Sequence, residues 1–177
     1  MVEASGNFRI YFAGPDVLDV DASARLTRIK QLAAARGLQG LVPVDVPGTE
    51  QGPEKAARIC SANLALLRQA NVVIANLRPF RGLEPDPGTV FEAGFAVALG
   101  IPVIGYGLPS GTYAQRVSAA LPCGTDETGV LRETRDRVAV EDFDLPVNLM
   151  LSCTAVGVVG TADEALALAA ELAKAQR

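Results

Sequence analysis

The chain has 177 residues, 49% of them apolar, and a formal charge of -4 from Lys+Arg 16 against Asp+Glu 20. That balance lacks the basic excess with which phosphate-backbone binders release counterions, so a nucleic-acid partner is not expected. His and Trp are both absent. A Ser-His-Asp triad, a His general base and His-ligated metal sites are therefore excluded, and acid–base work falls to carboxylates, Tyr, Cys or Lys.

Phe8 to Ala13 is a β-branched and aromatic run stopped by Gly14-Pro15-Asp16, which predicts a strand followed by a turn. From Ala22 to Arg36 apolar residues recur at three and four, and Gly37 closes an amphipathic helix. Leu41 to Val46 predicts a second strand, with Pro43 placing it at an edge or a strand end. A helix follows from about Pro53 to Gln69, then the most continuous apolar strand, Asn71 to Leu77. Such a strand is covered on both faces and central.

The loop Arg78 to Pro87 carries Arg78, Arg81, Glu84 and Asp86, and Gly88-Thr89 opens a helix that runs to Leu99. Ile101 to Tyr106 predicts another buried strand, Thr112 to Leu121 a helix, Pro146 to Ala155 a short apolar helix and Thr161 to Lys174 a final helix. Thr125 to Asp144 is polar and carries no clear periodicity, which suits a lid over the crevice. Strand–helix alternation with no linker or repeat predicts one α/β domain over residues 1–177. Its architecture is a flavodoxin-like or Rossmann-like sandwich around a central parallel sheet, with ligands beyond the carboxyl ends of the strands.

Cys60, Cys123 and Cys153 are odd in number and form no CxxC pair, consistent with free thiols in a reducing cytosol. Met1 to Asn7 shows no secretory leader pattern, and no run reaches the ~18 to 20 apolar residues of a membrane helix. A cytoplasmic protein with no membrane partner is expected. Ala155 to Gly160 is a near miss for a dinucleotide loop at the wrong end of the chain, and no cofactor is expected. Thr161 and Glu164 instead form a capping box.

Glu92 is the single charged residue of an otherwise apolar helix. Such a carboxylate is costly unless it is paired, hydrogen-bonded or protonated. A structural reading makes it the partner of Thr89 in a capping box; a functional reading makes it the reactive carboxylate. Asp86 lies six positions earlier, where it either opens a turn with Pro87 or shares the crevice with Glu92. Tyr11 sits mid-strand, pointing to the core or to the crevice, and Asn148 is a polar residue in an apolar run that needs a buried hydrogen bond or a subunit contact.

The segments Ile10 to Asp16, Asn71 to Gly82, Glu84 to Gly94 and Pro146 to Met150, in this order, resemble the nucleoside 2-deoxyribosyltransferases. The resemblance implies double displacement at the anomeric carbon of a 2'-deoxynucleoside, with Glu92 as nucleophile and a free nucleobase as second substrate. It further implies that Tyr11 orients Glu92 and that Asp86 positions a sugar hydroxyl or moves protons. Gly14 and Asp16 would line the substrate site, and Asn148 would reach the 5'-hydroxyl in a neighbouring subunit, which implies a homo-oligomer. Asn63 stands where the family usually carries an aspartate against the base, and a neutral amide cannot deliver a proton as a carboxylic acid does. Two other readings are a hydrolase of deoxynucleoside 5'-monophosphates, with Arg78 and Arg81 near the phosphate, and a non-catalytic nucleotide sensor. For the sensor, the paired glycines of the P-G-G-x-G-T-x-x-E loop are missing.

Overall fold

The computed structural model describes residues 8–43 and 51–176. The elements are β1 (Arg9–Ala13), α1 (Ala22–Ala34), β2 (Gln39–Leu41), α2 (Gly52–Leu67), β3 (Val72–Asn76), α3 (Pro87–Ala98), β4 (Val103–Tyr106), α4 (Tyr113–Ala120), β5 (Cys123–Thr125), β6 (Leu131–Glu133), α5 (Leu149–Thr154), β7 (Gly157–Val159) and α6 (Ala162–Ala175), with a 3-10 turn at Pro15–Leu18. Five strands form a parallel sheet in the order β2-β1-β3-β4-β7. This is the flavodoxin-like order, and the direction of winding reverses between β1 and β3.

Period-two alternation sorts the strand side chains into two layers. Ile10, Phe12, Val72, Ile74 and Ile104 pack with Ala33 of α1 and with Leu166 and Ala169 of α6. Tyr11, Ala13, Val73, Ala75 and Val103 pack with Leu67 of α2 and with Ala93 and Ala96 of α3. All five residues of β3 are buried, as the continuous apolar run requires of a central strand.

Three expectations change. The second strand is Gln39–Leu41 rather than Leu41 to Val46; Val44 to Val46 lie outside the described residues. Ala155 to Gly160 is neither a phosphate loop nor only a helix approach: Gly157–Val159 is the fifth strand, paired with β4. Thr125 to Asp144 is not structureless, because β5 and β6 form an antiparallel hairpin, and Val140 packs with Ala114, Val117 and Leu131 in a small separate core. Asp126 nucleates its turn by accepting from the backbone N–H groups of Thr128 and Val130 and from the Arg132 guanidinium. Among the described residues no helix is long and apolar enough to cross a membrane.

Candidate active site

The end of β1 and the start of α3 meet on one face of the sheet. Tyr11 is fully buried there, and its hydroxyl donates to Glu92 Oε1 at 2.5 Å. Glu92 lies one turn beyond Thr89 and one turn before Ala96, both of which are buried, so it occupies the inner stripe of α3. Burial pushes its pKa up from 4.5, the Tyr11 hydrogen bond pulls it partly back, and the charge of Asp86 raises it again. Burial and then the Glu92 charge push the Tyr11 phenol far above its ordinary value. Tyr11 is therefore a fixed donor, and Glu92 is the acceptor whose protonation varies.

Thr89 does not cap α3 with Glu92. The N-cap is Asp86, whose Oδ2 accepts from Thr89 N at 2.8 Å and from Thr89 Oγ1 at 2.9 Å. Pro87 at the first helical position gives up no hydrogen bond, because that N–H has no partner inside a helix. Gly88 leaves room for the carboxylate: a Cβ there would stand 3.0 Å from Asp86 Oδ2. Both bonds fall on one oxygen, so Oδ1 of Asp86 is left for other partners. The loop before Asp86 is drawn back on itself by an antiparallel bridge between Pro79 and Pro85 and by Phe80 N donating to Glu84 O at 2.9 Å.

Asn63 is half-buried on α2, one turn before the fully buried Leu67, and so on the layer that holds Tyr11 and Glu92. Asn148 caps α5: its Oδ1 accepts from Met150 N at 3.0 Å and its Nδ2 donates to Glu141 Oε1 at 2.7 Å. Glu141, which no sequence signal marked, also accepts from Leu149 N at 2.9 Å. Asp16 is not brought to Glu92. Its Oδ2 accepts from Asn76 Nδ2 at 2.8 Å, on the layer that faces α1 and α6. Gly14 makes this approach possible, since a Cβ would lie 2.6 Å from Asp16 Oδ2 and 2.9 Å from Asn76 Cβ.

Arg78 pairs with Asp19, Nη2 to Oδ1 at 2.7 Å, with its buried Nε unpartnered among the described residues, and the Arg81 guanidinium lies over the Phe80 ring at 4.9 Å. Among the described residues no group of three His, Cys, Asp or Glu is placed to hold a metal ion.

The fold is that of a doubly wound α/β protein in which a glutamate held by a strand tyrosine follows a helix-capping aspartate on the same helix. The chain belongs to the nucleoside 2-deoxyribosyltransferase family, which it matches over residues 10–150. The structure superposes on a 2-desoxiribosyltransferase from Leishmania mexicana with a TM-score of 0.75 and 30% identity, covering 92% of this chain and 97% of that one. A 2-deoxyribosyltransferase from Bacillus psychrosaccharolyticus shares the fold, with a TM-score of 0.59 and 16% identity over 89% of this chain and 90% of that one. An uncharacterized protein of Schizosaccharomyces pombe is 30% identical over 113 residues, 61% of this chain. The match spans 54%, about half, of that curated relative.

Proposed function

We propose that the protein moves a 2'-deoxyribosyl group between nucleobases, with Glu92 as the nucleophile. A Glu92 oxygen bonds to the anomeric carbon as the carbon–nitrogen bond breaks, and the base leaves with the electron pair and takes up a proton. A nitrogen of the second base then bonds to the same carbon, the ester C–O bond breaks, and the carboxylate is restored as the incoming nitrogen loses its proton. Two inversions give retention, the logic of retaining glycosidases.

The observation that carries this reading is the Tyr11–Glu92 hydrogen bond. It fixes one carboxylate oxygen and leaves the other for attack, in surroundings where burial makes the charged form reactive. Asp86 has the sugar-positioning or proton-carrying role with its unoccupied Oδ1, Asn63 contacts the base, and Gly14 lets the chain turn tightly beside the crevice. Asp16 is left out of this set because its carboxylate faces the other layer. The engagement of Arg78 by Asp19 favours an unphosphorylated nucleoside over a 5'-monophosphate.

The protein acts as a single cytoplasmic domain in a homo-oligomer, in which Asn148 completes a neighbouring subunit's site. No cofactor enters the chemistry. Chromatography of deoxyinosine with adenine, and of thymidine with adenine, beside Glu92→Gln tests the proposal. Deoxyadenosine is expected from at least one donor with the native enzyme and from neither with the variant. Release of free deoxyribose equal to or above the exchanged product, with adenine in excess, would overturn transfer in favour of hydrolysis.

A further inference from the structure

Across the sheet from Glu92, a cavity of about 640 Å³ opens at the carboxyl ends of β1, β3 and β4, between α1 and the start of α6. It does not include Tyr11 or Glu92. The volume falls within the ~300–1,000 Å³ typical of small-molecule sites, and the position is where open α/β sheets bind ligands.

Its floor is made by Asp16, Asn76 and Tyr106. Asn76 is only 6% exposed and its amide bonds at both ends: Nδ2 donates to Asp16 Oδ2, and Oδ1 accepts from Arg78 N at 3.2 Å. That leaves Asp16 Oδ1 with no hydrogen bond to any described residue, and the Tyr106 hydroxyl has none either. Neither oxygen is sealed off from solvent, so both stand open to a ligand that enters the cavity. Burial and then the nearby Asp16 charge push the Tyr106 pKa well above its usual value, so the hydroxyl stays protonated beside a carboxylate acceptor. Phe12, Leu26 and Ile29 supply apolar wall. Arg25 is tied to Asp21 at 2.8 Å and reaches Asp19 at 3.5 Å, and the lining arginines Arg25 and Arg28 face the lining carboxylates of Asp16, Asp21 and Asp163, so the cavity has no cationic excess for a phosphate.

We propose that this cavity is a second ligand site, for an uncharged heteroaromatic molecule of nucleobase to nucleoside size. An N–H donor of the ligand meets Asp16 Oδ1, an adjacent ring acceptor meets the Tyr106 hydroxyl, and the ring lies against Phe12, Leu26 and Ile29. The site is spatially separate from Tyr11 and Glu92, which lie on the other face of the sheet.

The test is photolabelling of the full chain with 8-azidoadenine, followed by peptide mapping, in the native protein and in Glu92→Gln. In both, label is expected on peptides from α1 or on the peptide containing Tyr106, and excess adenine should compete it away. Tyr106→Phe and Asp16→Asn should each lower that label at least ~10-fold, the effect of losing one hydrogen bond worth ~1.4 kcal/mol. Asp16→Asn can still accept from Asn76, which separates ligand loss from misfolding; circular dichroism and melting confirm the fold of both variants. Label confined to α2 and α3 peptides, or α1 label unchanged in both folded variants, would overturn the second site. Base exchange measured on the same samples reports separately on Glu92.

Discussion

Tyr11 and Glu92 are 81 positions apart in the chain and joined by a 2.5 Å hydrogen bond between the first strand and the third helix. A phenol held protonated by burial and a glutamate held partly against its charged form make an asymmetric pair. The phenol donates, and the carboxylate alone changes state. Tyr11→Phe removes the hydrogen bond that favours the charged form of Glu92. Its kcat/KM for base exchange is expected to fall ~10- to 100-fold, in line with the ~1.5–3 kcal/mol of a hydrogen bond to a charged group. The acid limb of the pH profile should move to higher pH, because the proposed nucleophile, Glu92, acts in its ionised form. An unchanged limb would show that Glu92 is not the titrating group.

Glu92 also enters the stability of the fold. A carboxylate whose folded pKa lies above its unfolded value stabilises the folded state below the unfolded pKa and loses that contribution as pH rises through the folded pKa. At neutral pH the buried charge is therefore a burden on the fold. Glu92→Gln is expected to melt a few degrees above the native chain at pH 7 while losing exchange, with the gap closing toward pH 4. Calorimetry across that pH range reads the trend, and a variant less stable at pH 7 would contradict it.

Asp86 combines a structural role with its proposed catalytic one, and two substitutions separate them. Asp86→Asn keeps an oxygen for the Thr89 backbone N–H, and its melting should stay within ~0.5 kcal/mol of native while exchange falls ~100-fold or more. Asp86→Ala removes the cap and leaves the buried Thr89 hydroxyl without its acceptor. Its stability should drop by about 1–3 kcal/mol in urea unfolding. Equal stability of the two variants would place the cap elsewhere.

The outer face of α3 bears on the proposed assembly. Phe91 is 58% exposed and stacks on Phe95 with ring centroids 6.2 Å apart. An apolar ring left in water at Phe91, on a helix whose only charge is Glu92, fits a face covered by a second copy of the chain. Phe91→Glu is expected to lower the mass seen by analytical ultracentrifugation, and exchange should fall with it if Asn148 works across subunits. A monomeric native protein would remove the basis for that role.

Much of the layering was legible because burial on two sides writes itself as an unbroken apolar run, as in Asn71 to Leu77, and amphipathic helices as a three-and-four repeat. β7 escaped because Gly157–Val159 is only three residues long and glycine-flanked. The hairpin escaped because its pairing depends on Asp126 and Arg132 side chains rather than on an apolar pattern. At the site, the oddity of Glu92 in an apolar helix was plain, but the spacing of Thr89 and Glu92 suggested a cap that Asp86 in fact supplies. Local spacing does not distinguish two acceptors that both reach the first turn. The roles of Asn76 and Glu141 had no local signature, because each rests on a partner beyond its own segment, Asp16 and Asn148.

The Asn76 amide has one further consequence. With its nitrogen on Asp16 and its oxygen on the backbone of Arg78, it joins the loop leaving β1 to the loop that runs on to Asp86. The two loops are thereby mechanically linked through a single buried group. Replacing Asn76 with a side chain that lacks the amide would therefore release both loops at once, the one that carries Asp16 and the one that leads to Asp86.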